Sequence, residues 1–207
     1  MASPNPSARG IDIGWFIAYK FWNSLFLGLS IGSVFVLYTP LSPTIFSAGG
    51  IGLAIGTLLI ATQYRRLFNV NWFFRISLLV ELFILAGVIG VLLYPIEQPL
   101  SLFIYLGYQF TFAFGSYLVR CETLLIPQDR RLTQLDVAKQ AGYLAGMGGS
   151  WLFYTVLEQH WAVGDKTAQV VAIHWLLLAV EFAIITCLYR AFSRPAEKPD
   201  RPVTTSL

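Results

Sequence analysis

Two glutamates, Glu81 and Glu181, stand in the middle of long apolar runs, and Lys20 stands about two turns into another. An ionisable side chain in hydrocarbon costs about 2.5–3.5 kcal/mol even on the milder insertion scales, so each needs a reason to be there. For a carboxyl, that reason is proton or cation exchange. Held in a low dielectric, it gains and loses a proton near neutral pH as access alternates. At 1.5 Å per residue, Glu81 lies about 13 Å beyond Trp72 and Glu181 about 13 Å before Arg190, both near mid-depth. The structural alternatives are an ion pair of Glu81 with Lys20, or a protonated carboxyl hydrogen-bonded to a neighbouring helix. Glu181 has no basic residue at its depth. Lys20 is long enough to snorkel to the nearer surface, the ordinary fate of a cation so placed.

Neutral polar groups accompany them. Asn23, Gln109 and Tyr143 are candidates to line a polar cavity, although single amides in a membrane more often tie helices together. His174 falls near the outer end of the last apolar run and reads as an interfacial histidine, and His160 falls in a loop. Two histidines so placed cannot supply paired axial ligation, and Cys121 and Cys187 have no metal-ligand spacing. No metal and no cofactor is expected. An H-E-x-x-H, a nucleotide loop and a Ser/His pair at common depth are all absent, so the sequence does not read as an enzyme.

Composition says what holds these residues. Of 207 residues, 56% are hydrophobic and 12% charged, about half the charge a soluble domain carries. Too few charges remain to cover a water-soluble surface, and the expected partner is the lipid bilayer. Six apolar runs are legible: 13–37, 48–62, 72–94, 100–119, 140–157 and 168–189. The predicted fold is an all-α bundle of six transmembrane helices over residues 11–192. A polar tail precedes it (1–10), without the apolar core of a signal peptide, and a proline-rich tail without periodicity follows (193–207). Arg65, Arg66 and Arg75 flank the second link, Arg120, Arg130, Arg131 and Lys139 the fourth, and Arg190, Arg194, Lys198 and Arg201 follow the last run. The first and third links have no Lys or Arg. The positive-inside bias therefore predicts both termini in the cytoplasm, in a cytoplasmic (inner) membrane. A net charge of +3, scattered over helix ends, gives no footprint for nucleic acid.

Thr133 and Asp136 have N-cap spacing, predicting a short amphipathic helix after a turn at Pro127 that leads into the fifth span. Small residues mark the second and fifth spans, with G-x-x-x-G pairs at Gly52/Gly56 and Gly142/Gly146. These suit close backbone packing within the chain or at a subunit seam. The heptads Leu78–Ile84 and Leu178–Ile184 match around their glutamates. The third and sixth helices would then be equivalent members of a 3+3 inverted repeat.

The basic residue Arg120 closing the fourth span, Pro127 with the charges after it, and Gly142 and Gly146 in the fifth together resemble the fourth link and fifth helix of the major facilitator superfamily. Gln63-Tyr64-Arg65-Arg66 takes the place of that family's loop between the second and third helices, without its Asp and Gly. The resemblance implies half of a twelve-helix transporter. It implies a homodimer with a small-molecule or ion substrate between the halves, and the second and fifth helices at the seam. The expected function is proton-coupled transport of a small solute, with Glu81, Glu181 and Lys20 as coupling candidates. The competing expectation is a non-transporting membrane subunit or assembly factor of a larger complex.

Overall fold

The computed structural model describes residues 10–126, 129–159 and 164–193. The tails expected at 1–10 and 193–207 therefore fall almost wholly outside the described residues. His160, Pro127 and Gln128 also lie outside them.

The described residues form seven helices and no strand: α1 (Ile13–Leu37), α2 (Pro43–Thr62), a single-turn α3 (Tyr64–Leu67), α4 (Val70–Leu93), α5 (Gln98–Leu125), α6 (Asp129–Gln159) and α7 (Lys166–Ala191). Five of them (α1, α2, α4, α5 and α7) are long and apolar enough to cross a membrane, which makes the chain an integral membrane protein. The sixth long helix, α6, is more polar in its first half. The amphipathic piece expected there does continue into the fifth span, but its start differs: α6 runs unbroken from Asp129, so Thr133 and Asp136 lie inside the helix and not at its N-terminus. The reason is that α6 is braced along α1 over much of its length, and packing overrides a weak capping signal.

Helix starts are set by short polar side chains. Asp12 accepts from Gly14 N (3.0 Å) and Trp15 N (3.3 Å), and Asn69 from Trp72 N (3.0 Å). Asp165 accepts from Thr167 N (3.2 Å) and Ala168 N (3.1 Å), and α2 begins on Pro43, whose missing N–H is no loss there. Asp165→Ala is expected to cost about 1 kcal/mol, read as a small drop in thermal midpoint of the detergent-solubilised protein.

Five pairings build the bundle: α1 with α6, α1 with α7, α2 with α5, α4 with α7, and α4 with α5. The core runs through α1, α4, α5, α6 and α7, and is closed at one end by Phe16, Phe73 and Phe192, with ring centroids 5.5–6.0 Å apart. At the same end Arg190 lies over the Trp15 ring and Arg120 over the Tyr64 ring, so this is the basic end of the bundle. The opposite end is tied by Tyr38, Phe46 and Tyr105. Helix α2 stands apart. None of its residues is fully buried, and it leans chiefly on α5.

Candidate functional site

The coupling candidates meet in one buried polar cluster. From α4, Glu81 (1% exposed) accepts from Tyr19 Oη at 2.6 Å and Asn23 Nδ2 at 3.1 Å, both on α1. From α7, Glu181 (0% exposed) lies within electrostatic range of Glu81, and neither of its carboxyl oxygens has a hydrogen-bond partner. Glu81 Oε2 is likewise buried without one. Three carboxyl oxygens are therefore held away from water with nothing in the protein to satisfy them, on facing helices α4 and α7. The other unpartnered buried atoms, among them Ser77 Oγ, Ser101 Oγ and Gln109 Oε1, belong to neutral groups, Glu122 Oε1 being ion-paired. Buried carboxyl oxygens are costly, and a proton or a bound cation is the group that would remove the cost.

Lys20 does not snorkel. It is buried (8% exposed) and forms an ion pair with Glu122, from the last turn of α5, while Lys139 of α6 donates to the other Glu122 oxygen at 2.5 Å. The Lys20 ammonium also lies 5.0 Å from the Tyr19 ring centroid and within range of Glu81. The snorkelling expectation fails because α5 brings a buried carboxylate, Glu122, to the lysine, and that carboxylate bridges two ammoniums. Glu122 is the residue that sequence reading missed. Ending the fourth span at Arg120 placed it in a polar link, whereas α5 continues to Leu125 and carries it under α1. The available signal was charge arithmetic: a buried Lys20 needs an acid at its own depth.

The other candidates are dispersed. Asn23 belongs to the cluster through Glu81. Gln109 lines a separate groove between α2 and α5, its Oε1 buried and unpartnered. Tyr143 is half-buried on α6, with its carbonyl against Gly28. Gly142 and Gly146 are used inside the chain, pressed against the α1 backbone at Phe21 and Leu25. Gly52 faces open space and Gly56 meets only Ala113 Cβ at 3.6 Å. His174 is not interfacial but buried (4% exposed), with Nδ1–H donating to Val170 O at 2.6 Å. Both cysteines are free and buried, and no cluster of metal-ligating side chains occurs among the described residues.

The chain matches no family model, no curated protein and no solved structure.

Proposed function

We propose that the chain is a proton-coupled membrane transporter of a small solute, with Glu81 and Glu181 as the proton site. The observation that carries this reading is the facing carboxyl pair, buried in the bundle with three oxygens left without a partner. Charge balance supports it. Leaving aside the exposed Asp136, which also pairs with Lys139 at 3.5 Å, the cluster holds three carboxyls (Glu81, Glu122, Glu181) and two ammoniums (Lys20, Lys139). One further proton makes it neutral, and that proton belongs to the pair left without a hydrogen-bonded cation. The reading places all six long helices across the bilayer, α6 included, with both termini on the basic, cytoplasmic side.

The pattern of helix pairing supports a 3+3 inverted repeat. Exchanging α1 with α5, α2 with α6, and α4 with α7 turns α1·α6 into α5·α2 and α1·α7 into α5·α4, and returns α4·α7 to itself. The five principal pairings map onto one another. Under this exchange Glu81 and Glu181 occupy equivalent places across the one self-paired interface. A second copy completes the transporter as a homodimer, a step favoured by α2, which has no fully buried residue and leaves Gly50 and Gly52 open. The same bare helix favours the alternative of a subunit docked on a different polypeptide. The mass of the particle in mild detergent separates them: twice the chain for the homodimer, a mixed complex for the subunit.

The direct test is infrared difference spectroscopy between acidic and alkaline pH on protein in lipid. A protonated-carboxyl band is expected in the wild type and is lost in Glu181→Gln. In proteoliposomes screened with small solutes, movement driven by a pH gradient should vanish in the same variant. Full-rate, pH-driven movement by Glu181→Gln would refute the assignment.

A further inference from the structure

A small cavity lies between α1, α4, α5 and α7, on the side of the carboxyl pair away from the basic end. Its polar wall is made by Ser30, Tyr108, Thr111 and His174, and the rest is apolar. It offers about 40 Å³ of space to water centres, enough for about two or three waters. Because His174 Nδ1–H is committed to the Val170 carbonyl, the neutral ring keeps Nε2 as its proton-accepting nitrogen.

The helix register shows what separates this cavity from the carboxyls. Phe26, Ile84 and Leu177 belong to the cavity wall. Phe26 is three residues beyond Asn23 on α1, Ile84 three beyond Glu81 on α4, and Leu177 four before Glu181 on α7. Because α7 runs antiparallel to α1 and α4, all three lie on the same side of the carboxyl layer, one helical turn (about 5.4 Å) away. His174 and Ser30 come roughly one turn further out. The order along the bundle is a mainly apolar cavity with one polar wall, one apolar layer, and then the carboxyl pair. Toward the basic end, the Phe16–Phe73–Phe192 cluster packs between α1, α4 and the end of α7, while the Lys20–Glu122–Lys139 chain runs out to a partly exposed Lys139.

We propose that this cavity is the outer water entry to the Glu81–Glu181 pair, and that Phe26, Ile84 and Leu177 form the hydrophobic gate across it. In this arrangement a proton passes from cavity water to His174 Nε2. It reaches the carboxylate only when the gate admits a bridging water, leaving the imidazole neutral again. A single dry layer is what keeps proton entry conditional on a change in the bundle, since a continuous water column would short-circuit any coupling. The inference rests on the reading that the carboxyl pair exchanges protons. The groups that face the pair are Tyr19, Lys20 and Asn23 from α1, with Glu122 of α5 and Lys139 of α6 behind Lys20.

The experiment uses proteoliposomes with a trapped pH dye and a potassium diffusion potential, and needs no solute. The double variant Ile84→Ala/Leu177→Ala is expected to raise proton conductance by about tenfold over wild type, as a dewetted constriction fills. Adding Glu181→Gln should return it to the wild-type level. An unchanged conductance in the double variant overturns the gate. A raised conductance that persists with Glu181→Gln also overturns it, because water would then bypass the pair. If the gate variant proves unstable, thiol labelling replaces it. In a background lacking Cys121 and Cys187, silver ion added from the outer side should block His174→Cys against later thiol labelling of the denatured protein, and should not block Glu181→Cys. Equal labelling of both after silver treatment overturns the proposal. A wild type without the infrared carboxyl band defeats the functional reading itself, whereas a band with unchanged conductance in the gate variant defeats only the gate.

Discussion

Gly146→Leu is expected to abolish the folded bundle, leaving no monodisperse particle in mild detergent, while Gly148→Leu two residues away leaves it intact. The difference is one of register on α6. A Cβ at residue 146 would overlap the Leu25 carbonyl outright and stand 2.9 Å from Leu29 N and 3.0 Å from Gly28 Cα. All three are backbone atoms of α1, and none can turn aside as a side chain can. Residue 142 meets the same backbone one turn earlier, at the Phe21 carbonyl. In return, Gly28 of α1 admits the α6 backbone, so that a Cβ there would overlap the Tyr143 carbonyl and lie 2.7 Å from Met147 N. The two helices touch backbone to backbone, where dispersion and weak polar contacts replace the hydrophobic drive that lipid removes. Even Gly146→Ala should cost about 1–3 kcal/mol, the range for overpacking, and leucine exceeds what a helix shift can absorb. At Gly148 nothing stands within 4 Å, and leucine there gains helix propensity in a lipid-facing position. A folded Gly146→Leu particle would show that α6 is held by something other than this contact.

That contact was half legible before the structure. The spacing of Gly142 and Gly146 announces a close approach, but spacing cannot say whether the partner is another helix of the same chain or another copy. Here the partner is α1, whose own G-x-x-x-G pair was passed over in the sequence: Gly28 answers Gly146, and Gly32 takes the Tyr154 ring. Five of the six expected spans were legible because twenty-odd apolar residues have one use, and α1 occupies the span read from the sequence, Ile13–Leu37. Ends were less so. Helix α2 starts at Pro43, five residues before the apolar run read as its span, because proline at the first turn continues a helix that hydropathy alone does not see. Helix α5 runs past Arg120 to Leu125 for a related reason: Arg120 rests on the Tyr64 ring at the surface and does not end the helix. Missing that extension hid Glu122, and with it the true partner of Lys20. The pair joins distant parts of the chain and leaves no local pattern.

Glu122→Ala is the second large effect, expected to destabilise the protein by about 3–5 kcal/mol, because it leaves Lys20 as an unpaired cation in the bundle. Lys20→Met should cost less, since Glu122 keeps Lys139 at 2.5 Å, itself partly exposed and able to reach water. The double variant Lys20→Met/Glu122→Leu removes both buried charges and should recover most of the loss, as replacing a buried ion pair by apolar groups often does. Thermal unfolding in one detergent compares all three. The orphaned lysine also has somewhere to go. Glu81 already lies within its electrostatic range, so in Glu122→Ala the ammonium is expected to turn toward that carboxyl and hold it ionised. The infrared carboxyl band should then persist but narrow, because Glu81 is fixed as the carboxylate and the proton of the pair stays on Glu181. A destabilised Glu122→Ala protein with an unchanged band would mean that Lys20 and the carboxyl pair are independent, and that Glu122 holds the bundle together without setting the charge of the proton site.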